Sequence, residues 1–365
     1  MHGFALAVAL AALVLIGVMV GGVFFAAGQE LRTGRDMLLR SRALTAAEYG
    51  LAAVLARGGW SPQWNAIGVG TVIVQPLLPG DGSVDTVRIT KLNSHSFFAA
   101  SEGFSTGGYG VWARRRIGAS ISLATPVLAQ PGALTVRAGA RLGTKSSIDG
   151  GDSVAVGWTC PAAVSPIPGL AMADTSQLVA LACAGCVSGT PPILETPIAA
   201  DTNTHFTFGS LTWNDLTAMS GAVIPGGATL TAVRETYTAG GACNVSDPHN
   251  WGDPRRMAPP GACEQHFPIV HAQGDLFVAG GHGQGMLLVD GDLHVTGGFQ
   301  FYGAVIVRGR LITSGSATRF VGAVMAADAD LTGSSISYSG CVLARSLQAA
   351  ATPVLTSGHS WVELP

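Results

Sequence analysis

From Phe4 to Gly28 the chain carries no charged and no polar side chain. Twenty-five residues in a helix span about 37 Å, more than the roughly 30 Å of bilayer hydrocarbon. At Gln29 the pattern changes. In QELRTGRDMLLRSRALTAAEYGLAAVLARGG, Leu31, Met37, Leu38, Leu44, Leu51, Val54 and Leu55 fall on a broad helical stripe, with Arg32, Arg35, Arg40, Arg42 and Glu48 interleaved. Proline is absent until Pro62. The pattern predicts one helix from Phe4 to Arg57, about 80 Å long. Its first half suits lipid, and its second half needs protein or water.

The rest of the chain reads as short strands. Residues 60–132 alternate weakly, as in TVIVQPLL and DTVRIT, and predict a small β-rich subdomain. Near the C-terminus Gly274-Asp275-Leu276 returns as Gly291-Asp292-Leu293, Gly309-Arg310-Leu311 and Ala329-Asp330-Leu331. Between them run MLLV (286–289), AVIV (304–307), AVMA (323–326) and CVLA (341–344), at a near-constant interval. Short glycine-closed strands at such a period predict the rungs of a parallel β-helix over 271–365. A β-sandwich of hairpins is the plainer alternative, and the regular spacing disfavours it. ALTVRAGARLGTKSSIDGGDS (133–153) has the same texture and supplies candidate rungs. Residues 154–270, holding five of the six cysteines, then form a disulfide-braced insertion. The Trp361-Val362-Glu363 tail is a candidate cap for the coils. The expected fold is mainly β with a long N-terminal α-helix and a C-terminal parallel solenoid.

Composition narrows the function. Lys+Arg is 20 against Asp+Glu 22, a net charge of -2, which makes no electrostatic case for nucleic acid. The 50 glycines have no G-X-Y period, which excludes collagen. Six cysteines in an exported chain permit three disulfides in any of 15 connectivities. Cys243 and Cys263 bracket a polar, Pro-rich stretch and are a candidate pair. Cys183 and Cys186 form a lone CAGC without a strand-to-helix context, so a disulfide or buried thiols is a plainer reading than a redox or zinc site.

Candidate chemistry is sparse. Asp275 and Asp292 stack at equivalent positions of the repeat, with Asp290 and His294 nearby, as polysaccharide-cleaving β-helices require of their acids. Aspartate after glycine is also a favoured turn residue, and that is the preferred reading. His249, His266, His271, His282 and His294 lack recognised ligand spacing. GHGQG (281–285) reads as a turn, and Arg114-Arg115-Arg116 as solvated surface. No catalytic residue, cofactor site or metal site is expected.

The Gly3-Phe4 junction before a long apolar helix resembles the class III leader of type IV prepilins. RALTAAEYGLAAVLA (42–56) resembles the AAE-x-G-L signature of PilX-type pilus assembly proteins, carried here by Ala46, Ala47, Glu48, Gly50 and Leu51. The likeness covers residues 1–57. It implies a three-residue leader, 1–3, cleaved by a prepilin peptidase on the cytoplasmic face, methylation of Phe4, and an assembly helix over 4–57. It also implies other pilin or minor pilin subunits and the inner-membrane assembly machinery as partners, beside the lipid bilayer. Only His2 stands where the family has Lys or Arg, and Val8 stands where major pilins carry Glu, as in some minor or tip pilins. The arginines after the span, taken alone, place the body in the cytoplasm; the cysteines and the β-rich domain place it outside, and export is the reading adopted. The expectation is a single-pass, inner-membrane minor subunit serving pilus assembly, adhesion or aggregation. The alternatives are an anchored polysaccharide-active enzyme, a type II secretion pseudopilin, or ordinary secretion with a cut near Ala26-Ala27.

Overall fold

The computed structural model describes residues 3–56, 67–76, 84–93, 95–107, 110–161, 165–181, 185–255, 261–356 and 361–364. Met1 and His2 of the expected leader, and Cys183, lie outside the described residues. The chain divides into two compact units, passing from the first to the second at Leu123 and returning at Pro353.

The first unit is a helix on an antiparallel sheet. The helix runs unbroken from Gly3 to Ala56 over 54 residues, close to the span its pattern predicts. Leu39, Ala43, Ala46, Ala47, Gly50, Leu51 and Val54 form one buried stripe at helical spacing. The sheet it covers is built from Val72–Pro76, Val84–Lys91, Ser96–Gly107, Gly110–Ala124, Thr352–Leu355 and Val362–Leu364. Its buried positions alternate, with Val87 and Ile89, then Phe97 and Ala99, then Ile117, Ala119 and Ile121. That is the period of a sheet with one face packed. At Gly103 the helix backbone comes close: a Cβ there would lie 2.3 Å from the Ala43 carbonyl and 2.5 Å from the Ala47 nitrogen. Glycine on the strand and alanine on the helix let the two backbones meet.

The tail departs from expectation. Val362–Leu364 pairs antiparallel with Gly110–Ala124, so it closes an edge of this sheet instead of capping the parallel coils. Glu363 is ion-paired with Arg115, and Arg114 and Arg116 flank Glu102. The arginine triplet therefore holds partners, although Arg114 itself remains largely exposed.

The second unit is dominated by a sheet of fifteen described strands, paired parallel throughout. Leu276 pairs with Leu293, Leu293 with Leu311, and Leu311 with Ala329. In the neighbouring column Ile269 pairs with Met286, Met286 with Ala304, and Ala304 with Ala323. The steps from Met286 to Ala304 to Ala323 and from Leu276 to Leu293 to Leu311 follow the sequence repeat. Leu311, however, pairs with Ala329 and Leu331 with Thr313, so the last Ala329-Asp330-Leu331 unit is shifted from the register its motif suggests. The 133–153 segment joins the same sheet, through Val324 to Leu134, Ala329 to Ala140 and Ser335 to Ser147. Strands of the 154–270 region extend it on both sides. Leu170–Met172 and Ile193–Glu195 lie beyond Leu134–Val136. Ala222–Pro225 and Ala228–Val233 lie beyond Ile269–Gln273 and Leu276–Val289. The chain therefore starts in the middle of the sheet, fills one side, crosses to the other, and returns to the middle.

Two local readings are corrected. CVLA (341–344), the fourth member of the repeat, lies in a helix, Gly340–Ala349, capped by Ser339. Its place beside 324–326 is already taken by Leu134–Val136. GHGQG (281–285) lies inside the strand Leu276–Val289. There Gly285, Gly303 and Gly322 stack in register at positive φ, each immediately before a buried apolar run. A Cβ on Gly303 would sit 1.9 Å from the Gly285 carbonyl and 2.6 Å from Ser346 Oγ of the Gly340–Ala349 helix.

Candidate functional site

The apolar half of the helix is an extended exposed surface among the described residues. Its described side chains are exposed from Val8 onward, Leu13 by 66%, Ile16 by 59% and Phe24 by 75%. A contiguous apolar surface of this size is not stable in water and marks a lipid or protein contact. Only this helix among the described residues is long and apolar enough to cross a membrane. Gly17 and Gly21 lie four apart with open space where a Cβ would stand, so a second helix can approach closely there. The signal that reveals this pair is small-residue spacing, which apolar length alone does not carry.

The signature residues divide by role. Ala46, Ala47, Gly50 and Leu51 belong to the buried stripe, whereas Glu48 and Tyr49 are exposed. Small side chains in the signature seat the helix on the sheet, and the Glu48 carboxylate faces solvent. Gly3 and Phe4 open the helix.

The acids singled out in the repeat are occupied in turns. Asp275 Oδ1 accepts from the Asp292 amide at 2.8 Å, and Asp292 Oδ1 accepts from the Arg310 amide at 2.8 Å. Each aspartate thus ties its own turn to the next. Asp290 is held by His271 Nε2 at 2.8 Å and by the Trp213 indole N–H at 3.2 Å. His294 stacks on Phe277 with centroids 4.5 Å apart. These contacts join neighbouring strands.

Two disulfides brace the second unit. Cys243 and Cys263 are bonded, their Cα atoms 4.9 Å apart, and close the polar Pro-rich loop. Cys160 is bonded to Cys341 at the start of the Gly340–Ala349 helix, 181 residues away. Cys186 is also disulfide-bonded.

Beside the braced loop lies a polar cluster that residue spacing did not reveal. Glu235, Asp253 and His282 place one carboxylate oxygen each and an imidazole nitrogen within 4.8 Å of one another. The Tyr237 phenol is pushed above its ordinary pKa first by desolvation, then by the charges of Glu235, Asp253 and Glu264. Elsewhere burial holds His205 and His266 below the usual histidine range. For His205 the backbone bond to Ala199 opposes that shift, and Nδ1 is buried without a hydrogen-bond partner.

Compared with known proteins, the chain matches no protein-family model and no curated protein by sequence. Among solved structures it is similar to the competence-associated pilin ComZ from Thermus thermophilus, over 90% of this chain and 96% of that chain, at 11% identity and a TM-score of 0.24.

Proposed function

We propose that this chain is a minor, pilin-like structural subunit, anchored in the bacterial inner membrane by its N-terminal helix and carrying an extracytoplasmic body. The observation that carries the reading is the division of one continuous helix. Val8 to Leu31 offers exposed apolar side chains, whereas Leu39 to Val54 is seated on the protein's own antiparallel sheet. A cleaved signal peptide has no use for a helix that continues without a break into the folded body. The helix anchors the subunit and packs laterally, through residues such as Leu13, Ile16 and Phe24, against the helices of other pilin or minor pilin subunits.

The parallel sheet is read as a β-helix whose coils run through 222–233, 269–338 and 134–195. Its role is a rigid display surface for pilus biogenesis, adhesion or aggregation. Aspartates spent on turns support a scaffold over a polysaccharide-cleaving site. Disulfides persist in oxidising compartments, which supports an external body. Gly3-Phe4 is the proposed cleavage junction, with a prepilin peptidase and the inner-membrane assembly machinery as partners.

Intact-mass and N-terminal analysis of protein recovered from native membranes tests this. The expected mature chain starts at Phe4 with a methylated amine. A start after Ala26 or Ala27 overturns the reading in favour of ordinary secretion. An intact Met1 reduces the helix to a simple anchor.

A further inference from the structure

We propose that Glu235, Asp253 and His282 form a binding site for a divalent cation of the zinc type, which fastens the disulfide-braced loop to the parallel sheet. The inference is independent of the assembly role.

The three donors come from separate segments brought together by strand register. Val233 pairs with Gly281, so Glu235, just past one strand, arrives beside His282 in the next. Asp253 reaches the same point from the loop closed by Cys243–Cys263, where its amide donates to the Cys263 carbonyl at 3.2 Å. His282 is 4% exposed and Asp253 5%. His282 Nε2 lies 2.5 Å from Glu235 Oε2 and 3.4 Å from Arg255 Nη2. One ring nitrogen thus faces an acceptor and a donor, and a single tautomer serves only one of them. A cation resolves the conflict: the Nε2 lone pair and the carboxylate oxygens turn on to the metal, and the guanidinium swings away.

Donor chemistry selects the ion. Calcium and magnesium take oxygen ligands, whereas an imidazole nitrogen with two carboxylates suits zinc. Bonds of about 2.0–2.2 Å to a tetrahedral ion hold ligand atoms roughly 3.4 Å apart. His282 Nε2 and Glu235 Oε2 therefore part from their present 2.5 Å as the ion enters between them and Asp253, with one position left for water. Charge agrees. Glu235, Asp253 and Glu264 surround Tyr237, while Arg255 is the cation seen in contact with the donors.

The test uses the full-length chain in detergent micelles, stripped with a chelator and dialysed against zinc chloride alone. The expected result is one zinc per chain, and Co2+ loaded in its place should show the visible absorption of a four-coordinate ion. His282→Gln and Glu235→Gln should each weaken binding by about tenfold or more, with the circular dichroism spectrum unchanged. Arg255→Ala should tighten binding several-fold, because it removes a like charge from the site. Failure of the unaltered chain to bind zinc at about 0.1 mM, near the weak end of specific metal affinities, overturns the proposal. Equal binding by the two glutamine variants overturns it as well. Loss of stability in Arg255→Ala without any zinc binding assigns the cluster to an internal ion-pair network instead.

Discussion

The two sheets of this protein each carry a helix across a line of small residues, but they reach that arrangement differently. In the first unit Gly103 lies under Ala43 and Ala47 of the long helix, and the strands alternate buried with open positions. In the second, Gly303 lies under Ser346, and the runs 286–289 and 304–307 are buried without alternation. Antiparallel neighbours come from hairpins, so one face is free to meet water. Parallel neighbours need long connections, here about one repeat interval each, and over these strands the Gly340–Ala349 helix covers a face, with Ser346 against Gly303. A strand buried on both sides tolerates only apolar or small residues, which is why its sequence signal was a run and a period.

The comparison predicts that the two units respond separately to damage. The largest effect should come from removing Cys160–Cys341. In the chain-entropy account a closed loop of 181 residues contributes about 5 kcal/mol. Cys160→Ser with Cys341→Ser should lower the urea midpoint of the parallel body and leave amide protection in the antiparallel sheet unchanged. Equal loss in both sheets would break the comparison.

Next come the glycines. Gly303→Ala forces a side chain into a backbone carbonyl at positive φ and should cost on the order of 3 kcal/mol. Gly103→Ala should cost about 2 kcal/mol by lifting the helix from its sheet. Hydrogen exchange should register the first in the 286–326 strands and the second in the 39–54 stripe.

Acid should weaken the parallel body in particular. His205 and His266 have folded pKa values depressed by burial, so both states are neutral well above about pH 6.5. Below that, the unfolded chain takes up protons that the folded chain resists, and stability falls until the folded pKa is reached. Each histidine contributes at most about 1.4 kcal/mol per pH unit. Thermal melts between pH 7.5 and 5 should show this decline, and His205→Asn should flatten it.

The smallest effect is expected from Asp292→Asn. It weakens one turn contact to the Arg310 amide and the ion pair to the Arg310 guanidinium, for about 1 kcal/mol or less. Incubation with acidic and neutral polysaccharides should release no reducing ends, whether the chain is unaltered or substituted. Cleavage by the unaltered chain that is lost in Asp292→Asn would revive the enzyme alternative.

Much of this architecture was legible in residue order. The helix was, because twenty-five apolar residues in lipid satisfy their backbone hydrogen bonds within one segment only as a helix, and the apolar stripe that follows keeps the helical period. The parallel pairing of 286–289 with 304–307 and 323–326 was also legible, since those apolar runs recur at the interval that separates paired strands. The match of Leu311 to Leu331 was not, because Leu311 pairs with Ala329. The fate of CVLA was not. Its residues match the repeat, and only the competing pairing of Leu134–Val136 with 324–326 turns them into a helix. Nor was the tail, whose Val362–Leu364 finds its partner far earlier in the chain, at Gly118 to Arg116. The cluster of Glu235, Asp253 and His282 was invisible for the same reason. Local sequence determines which elements form, because helix and strand periods are written within one or two turns. Tertiary structure decides which distant elements become neighbours, because that choice depends on which edges and faces the rest of the chain has already filled.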